Sequence, residues 1–166
     1  NEQSLRVVDV LEMRNGKRGL NLTEEVRDGI LNHTGLNKPF TLEGQIVKIA
    51  DRIAYINHDI DDAIRAGIIT LDDIPKEFLD TLGHTHGKRI NNMILDIITN
   101  SENKNVIAMS SEIQNKTNRL REFLFKNIYL NTTAKSEDKK SKYILENLFE
   151  YYLKNFEKLP NMYAQN

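Results

Sequence analysis

The 166 residues hold 39% hydrophobic and 28% charged side chains, with a formal net charge of −1 and no cysteine. A chain of this length is sized for one ordinary domain with a real core. A balance so close to neutral gives no long-range field for nucleic acid or an acidic membrane surface. The missing cysteines exclude disulfides, thiolate metal sites and thiol nucleophiles, and they fit a cytoplasmic protein.

In chain order, apolar residues recur at helical spacing and strand signals are nearly absent. The opening residues have no charged-then-apolar leader pattern, and no apolar run reaches the roughly 20 residues of a membrane span. Glu2-Gln3-Ser4-Leu5-Arg6-Val7-Val8 reads as helix already under way, so further sequence is expected upstream. Leu5, Val8 and Leu11 form one stripe of that helix, which is expected to exit at Asn15-Gly16. Asn21 or Thr23 can cap a second helix, with Glu24 and Glu25 in its first turn and an end near His33-Thr34-Gly35. His33 there fits a helix-end cap.

The longest periodic run spans about Thr41 to Ala66 and is closed by Gly67, with Ile46, Ala50, Ile53, Ile60 and Ile64 as its apolar stripe. A short helix after Thr70 is interrupted by Pro75, and another covers Gly87 to Thr99. After a polar loop from Ser101 to Asn105, Ser110 or Ser111 caps a helix running towards Tyr129, with Ile113, Leu120, Phe123 and Leu124 inward. The polar stretch from Ala134 to Ser141 leads into a last helix that is expected to bury Ile144, Leu148, Phe149 and Tyr152 before Pro160. The fold class is all-α.

Within the longest helix, Asp51, Tyr55, Asp59 and Asp62 follow at intervals of 4, 4 and 3 and so share a face, expected beside the apolar stripe. Two readings are open. A run of charges usually marks solvent, and spacing alone favours that. A half-buried carboxylate needs a cation or donor, however, and such a face can hold a metal at one end and hydroxyl groups at the other. His84 and His86 are two residues apart, which on a helix points them apart, and no carboxylate completes a ligand set, so a capping or surface role is expected. Asp59, Asp61 and Asp62 are not a calcium loop, since Ile64 stands where the glycine belongs. Arg119, Arg121, Lys126 and the cluster from Lys135 to Lys142 form a modest basic region. Its default is solvent, with contact to a nucleotide or nucleic-acid effector as the alternative.

The block from Ile49-Ala50-Asp51-Arg52-Ile53-Ala54-Tyr55 through Ile56-Asn57-His58-Asp59-Ile60-Asp61-Asp62 to Ala63-Ile64-Arg65-Ala66-Gly67 resembles the signature helix of bacterial dGTPase-like proteins of the HD superfamily. Leu20–Ile30, Leu42–Val47, His86-Gly87-Lys88-Arg89-Ile90-Asn91 and Leu148-Phe149-Glu150-Tyr151-Tyr152 extend the resemblance over essentially the whole chain. These proteins are deoxynucleoside triphosphate triphosphohydrolases. The resemblance implies a helical HD-type domain whose C-terminal part is residues 1–100, and a C-terminal helical extension over 101–166. It implies Asp51 as the last aspartate of a set of two His and two Asp holding a divalent metal such as Mg or Mn. That metal polarises the α-phosphate of a dNTP, dGTP foremost, for attack by water, releasing a deoxynucleoside and triphosphate. Arg52 matches a basic position that meets the triphosphate, and Tyr55 and Asp59 match residues on the deoxyribose, Asp59 accepting from the 3′-hydroxyl. The remaining ligands and the catalytic His and Glu belong to sequence upstream of Asn1. His58-Asp59 is an HD dipeptide in the wrong register to be the metal-binding pair. A homo-oligomer is also implied. The rival reading is a non-catalytic helical module for regulation or oligomerisation.

Overall fold

A computed structural model describes residues 1–129 and 132–164, without the side chains of 132–138, 162 and 164. The regular elements among the described residues are helices apart from one small hairpin, as the periodicity predicts. They divide into two compact units, Asn1–Leu124 and Phe125–Asn166.

The first unit opens with α1 (Glu2–Arg6), which continues through a π-helical stretch to Leu11. The helix ends there rather than at Asn15-Gly16. Those two residues have φ of 52° and 73° and make the turn between strands β1 (Met13–Arg14) and β2 (Lys17–Arg18). Positive φ at both central positions is what a two-residue hairpin requires, and Asn-Gly supplies it with least strain. Leu5 and Val8 are half-buried while Leu11 is exposed.

Helix α2 (Glu24–Asn32) starts after Thr23, and the His33 ring meets the Ile30 carbonyl oxygen through Nδ1 at 2.7 Å, the cap expected of it. Arg27 clamps α2 to the first segment through both oxygens of Asp9, its Nη2 donating at 2.9 Å. Helix α3 (Leu42–Arg65) begins where Thr41 Oγ1 accepts from the Gly44 amide and stops before Gly67 at φ 68°. The caps thus set both ends of the longest helix. Thr70 and Asp73 close a capping box over a short 3₁₀ turn, and Pro75 precedes α4 (Lys76–Leu82). Thr85 caps α5 (His86–Ser101), and α6 (Ser111–Leu124) completes the unit.

The core lies where α3, α4, α5 and α6 meet. Ile53, Ile56, Ile60 and Ala63 of α3 pack with Phe78, Leu79 and Leu82 of α4, Met93 of α5, and Leu120 and Leu124 of α6, all buried. Ile46, Ala50 and Ile64, expected on the same stripe, are exposed, because no described element packs over them.

The second unit runs from a π-helical stretch at Phe125–Tyr129 through α7 (Thr132–Lys154), a 3₁₀ turn at Phe156–Lys158 and α8 (Asn161–Ala164). Ile144, Leu148 and Phe149 are exposed here, contrary to expectation, and only Tyr152 is partly covered. Helical periodicity selects the apolar face without saying what covers it.

Candidate functional site

Helix α3 carries all four residues singled out by the sequence. At 100° per residue, the buried set of Ile53, Ile56, Ile60 and Ala63 defines the inward direction; Asp51, Tyr55 and Asp62 point roughly 160°, 120° and 140° away from it, while Asp59 stands about 80° round, at the flank of the core. Asp51 and Asp62 therefore lie opposite the core, whereas Asp59 keeps the place beside it that was expected of the whole face. Asp51 and Asp62 are exposed, and Tyr55 and Asp59 are half-buried.

The Asp51 carboxylate makes no hydrogen bond or ion pair among the described residues. Asp62 pairs with Arg65 one turn on, at 3.2 Å. Asp59 is half-buried beside a like charge. Partial burial, reinforced by the nearby Asp62 charge, pushes its carboxyl above the ordinary aspartate value, and His58 pulls weakly the other way.

Arg52 leaves the helix on another side. Its Nη2 donates to Asn118 Oδ1 on α6, while its Nε is buried without a partner among the described residues. Together with Lys38, Lys48 and Gln114 it lines a cavity of about 210 Å³. Lys48 Nζ donates to the carbonyls of Asn32, Gly35 and Asn37 at 3.0, 2.9 and 2.8 Å, which fastens the loop after α2 to α3. A guanidinium with a spare buried donor beside a second cation suits an anionic oxygen.

A polar cluster that the sequence reading did not single out lies one step around α3. Asn57 is fully buried among isoleucines, and its Oδ1 accepts from Arg89 Nε at 2.8 Å. Arg89 is only 2% exposed, and its Nη2 reaches Asp61 Oδ1 at 3.2 Å. Burial pulls the Arg89 guanidinium below its usual value, and Asp61 opposes that. His86 Nδ1 lies 2.7 Å from Asp61 Oδ2, an ion-pair distance without the angle of a hydrogen bond. The available signal was Asn57 itself, an amide in register with Ile53 and Ile60 on the core stripe. His84, in the turn before α5 rather than on a helix, meets Asp80 instead at 3.1 Å, so the two histidines serve different carboxylates.

Among the described residues no group of three or more His, Asp or Glu could hold a metal ion. Asp51 offers one carboxylate, so the described donors do not make a metal centre by themselves. In the basic region, Arg119 is committed to Glu77 and Lys142 lies 3.6 Å from Glu146, while Arg121, Lys126 and Lys139 are exposed. The Lys135 side chain lies outside the described residues. No described helix is long and apolar enough to cross a membrane.

Known proteins give this geometry its context. Residues 107–166 match a phosphohydrolase-associated domain family. A deoxyguanosinetriphosphate triphosphohydrolase-like protein of Caldanaerobacter subterraneus subsp. tengcongensis is 51% identical over 164 residues, covering 99% of this chain and 48% of that protein. A protein of the same description from Clostridium perfringens (strain 13) is 45% identical over 172 residues, covering 98% of this chain and 50% of that one. One from Geobacter sulfurreducens is 33% identical over 214 residues, with 99% and 56% covered. The resemblance read from the sequence is thus borne out along nearly the whole chain. The chain spans about half the length of the curated relatives it matches.

Proposed function

We propose that the full-length protein is a metal-dependent deoxynucleoside triphosphate triphosphohydrolase acting on dGTP or a related dNTP, and that this chain carries one side of its active site. The observation behind this is Asp51, an exposed carboxylate without a partner among the described residues, one and two turns from Tyr55 and Asp59, in a chain so similar to proteins of that description. In this reading Asp51 is one ligand of a divalent ion such as Mg or Mn, and the other ligands and the catalytic His and Glu come from the rest of the polypeptide. Arg52 neutralises charge on the phosphates. Tyr55 and Asp59 meet the sugar. Residues 1–100 are the C-terminal part of the HD-type domain and 101–166 a helical extension of it, in a cytoplasmic homo-oligomer.

The test is metal content and triphosphate release from dGTP by the full-length protein and its Asp51→Ala variant. Both should collapse in the variant while helical circular dichroism persists. Retained metal and turnover would make Asp51 a surface residue and end this reading.

A regulatory or oligomerisation role is favoured by a separate feature. Tyr143, Ile144, Leu148 and Phe149 leave α7 with an apolar face open to solvent, and patches of that kind mark association surfaces.

A further inference from the structure

Between α3 and α5 runs an open groove of about 640 Å³ with almost wholly apolar walls. Ile46, Ala50 and Ala54 form one wall and Ile94, Ile97 and Ile98 the other. This is uncovered surface, since Ile46, Ile94 and Ile98 are 51%, 44% and 57% exposed. Folded chains seldom leave a continuous run of isoleucines in water, because each costs free energy in proportion to the apolar area left wet.

We infer that this groove is the seat of an amphipathic helix from the half of the full-length polypeptide that its relatives possess beyond the match to this chain. Three observations select that occupant. The relatives are about twice as long as the matched region, so a whole further half is available to cover it. From Ile46 to His58 the α3 wall is roughly 18 Å long at 1.5 Å per residue, room for about three turns of a packed helix. Finally, Ala54 and His58 of the groove wall lie roughly 60° and 20° round α3 from Asp51 at 100° per residue, so this carboxylate, without a partner among the described residues, stands at the groove's rim. A second copy meeting this face about a twofold axis that passes near Asp51 would bring another Asp51 towards the first, like charge against like. A helix from the rest of the chain carries no such penalty and delivers new side chains to the same rim. Alanines at 50 and 54 leave space for a close approach, as small residues do where helices cross.

The inference rests on the proposed function only for the further half of the polypeptide that supplies that helix, and its test reads burial rather than activity. The chain contains no cysteine, so Ala54→Cys and Ile94→Cys each place a single thiol in this region of the full-length protein. Alkylation of each is followed by peptide mass spectrometry in native protein and in the same protein unfolded by urea. Protection of about tenfold or more at both sites, independent of protein concentration, is expected. Native rates close to the unfolded ones overturn the inference, and so does protection that disappears on dilution, which assigns the groove to a second copy. Circular dichroism verifies that each variant folds, and two separate positions guard against local disruption by either one. Protected thiols in a protein that neither binds metal nor hydrolyses dNTPs would end the functional proposal and leave the groove assignment standing.

Discussion

Arg89 Nε donates to Asn57 Oδ1 at 2.8 Å inside the contact between α5 and α3, with both side chains buried. A guanidinium there is tolerable only because Asn57 and Asp61 meet it. Arg89→Met should therefore destabilise the protein by about 3 kcal/mol, the lower end of the cost of breaking a buried pair, because Asp61 is itself 37% exposed. Adding Asn57→Leu should return part of the loss, since the stranded amide is then gone as well. Urea titration of wild type, the single variant and the double variant measures both steps. A double variant no more stable than Arg89→Met would show that the two side chains are not coupled.

Gly29 of α2 and Gly44 of α3 face each other where those helices cross, and they predict opposite responses to the same change. A Cβ on Gly29 would lie 3.7 Å from Gly44 Cα, an ordinary contact. A Cβ on Gly44 would lie 2.7 Å from Pro39 Cβ and 3.1 Å from Thr41 Oγ1. Gly29→Ala should raise the melting temperature, with helix propensity contributing up to about 1 kcal/mol. Gly44→Ala should lower it, since overpacking costs about 1–3 kcal/mol and disturbs the Thr41 cap. Thermal unfolding of both variants decides this, and equal shifts would contradict the crossing geometry.

Glu77 on α4 receives Lys116 Nζ at 2.7 Å and Arg119 Nη2 at 2.7 Å, both from α6. The hydrogen bond from Lys116, with the Arg119 charge beside it, holds the Glu77 carboxyl below its ordinary value. A depressed folded-state value means that the contribution is complete above the unfolded glutamate value and is lost as pH falls through the folded one. Wild type should melt above Glu77→Gln at neutral pH, and the gap should close in the acid range. Melting curves from pH 7 down to about pH 3, across the ordinary glutamate value, trace it. A gap that stays constant with pH would mean that packing, not charge, separates the two proteins. The difference should also shrink in high salt, because Glu77 and Arg119 are exposed.

The longest helix was legible to within a residue at each end, because Thr41 and Gly67 are strong local signals that need no tertiary partner. The placement of Asp51, Tyr55, Asp59 and Asp62 on a common face followed from spacing alone. Their position relative to the core did not, because a stripe holding Ile46, Ala50, Ile53, Ile60 and Ile64 averages a buried sector with an open one. Ile53 and Ile60 are covered where α5 and α6 pack on α3, whereas Ile46 and Ala50 border the groove. Sequence periodicity treats the two groups alike. Arg89 escaped notice for a related reason: an arginine on a helix reads as surface until its buried acceptor is known.

Asp59 and Tyr55 should govern recognition of the sugar without affecting metal retention. They lie two turns and one turn from Asp51, about 12 and 6 Å along the axis at 1.5 Å per residue, beyond direct contact with an ion at Asp51. An ionised Asp59 can accept from a 3′-hydroxyl, and the Tyr55 ring can crowd the 2′ carbon so that an added hydroxyl fits badly. Loss of a charge-assisted hydrogen bond costs roughly 1.5–3 kcal/mol, so Asp59→Asn should lower kcat/KM on dGTP about 10- to 150-fold in the full-length protein. Because burial and Asp62 raise the Asp59 carboxyl, the wild-type preference for a 3′-hydroxyl should weaken on acidification sooner than an ordinary aspartate would allow. Tyr55→Ala should instead narrow the gap between dGTP and GTP. Parallel kinetics on dGTP, GTP and the 3′-deoxy analogue, with metal content determined on the same samples, separate these effects. If Asp59→Asn still discriminates against the 3′-deoxy analogue as strongly as wild type, or if either variant loses its metal, the α3 face does not read the sugar in this way.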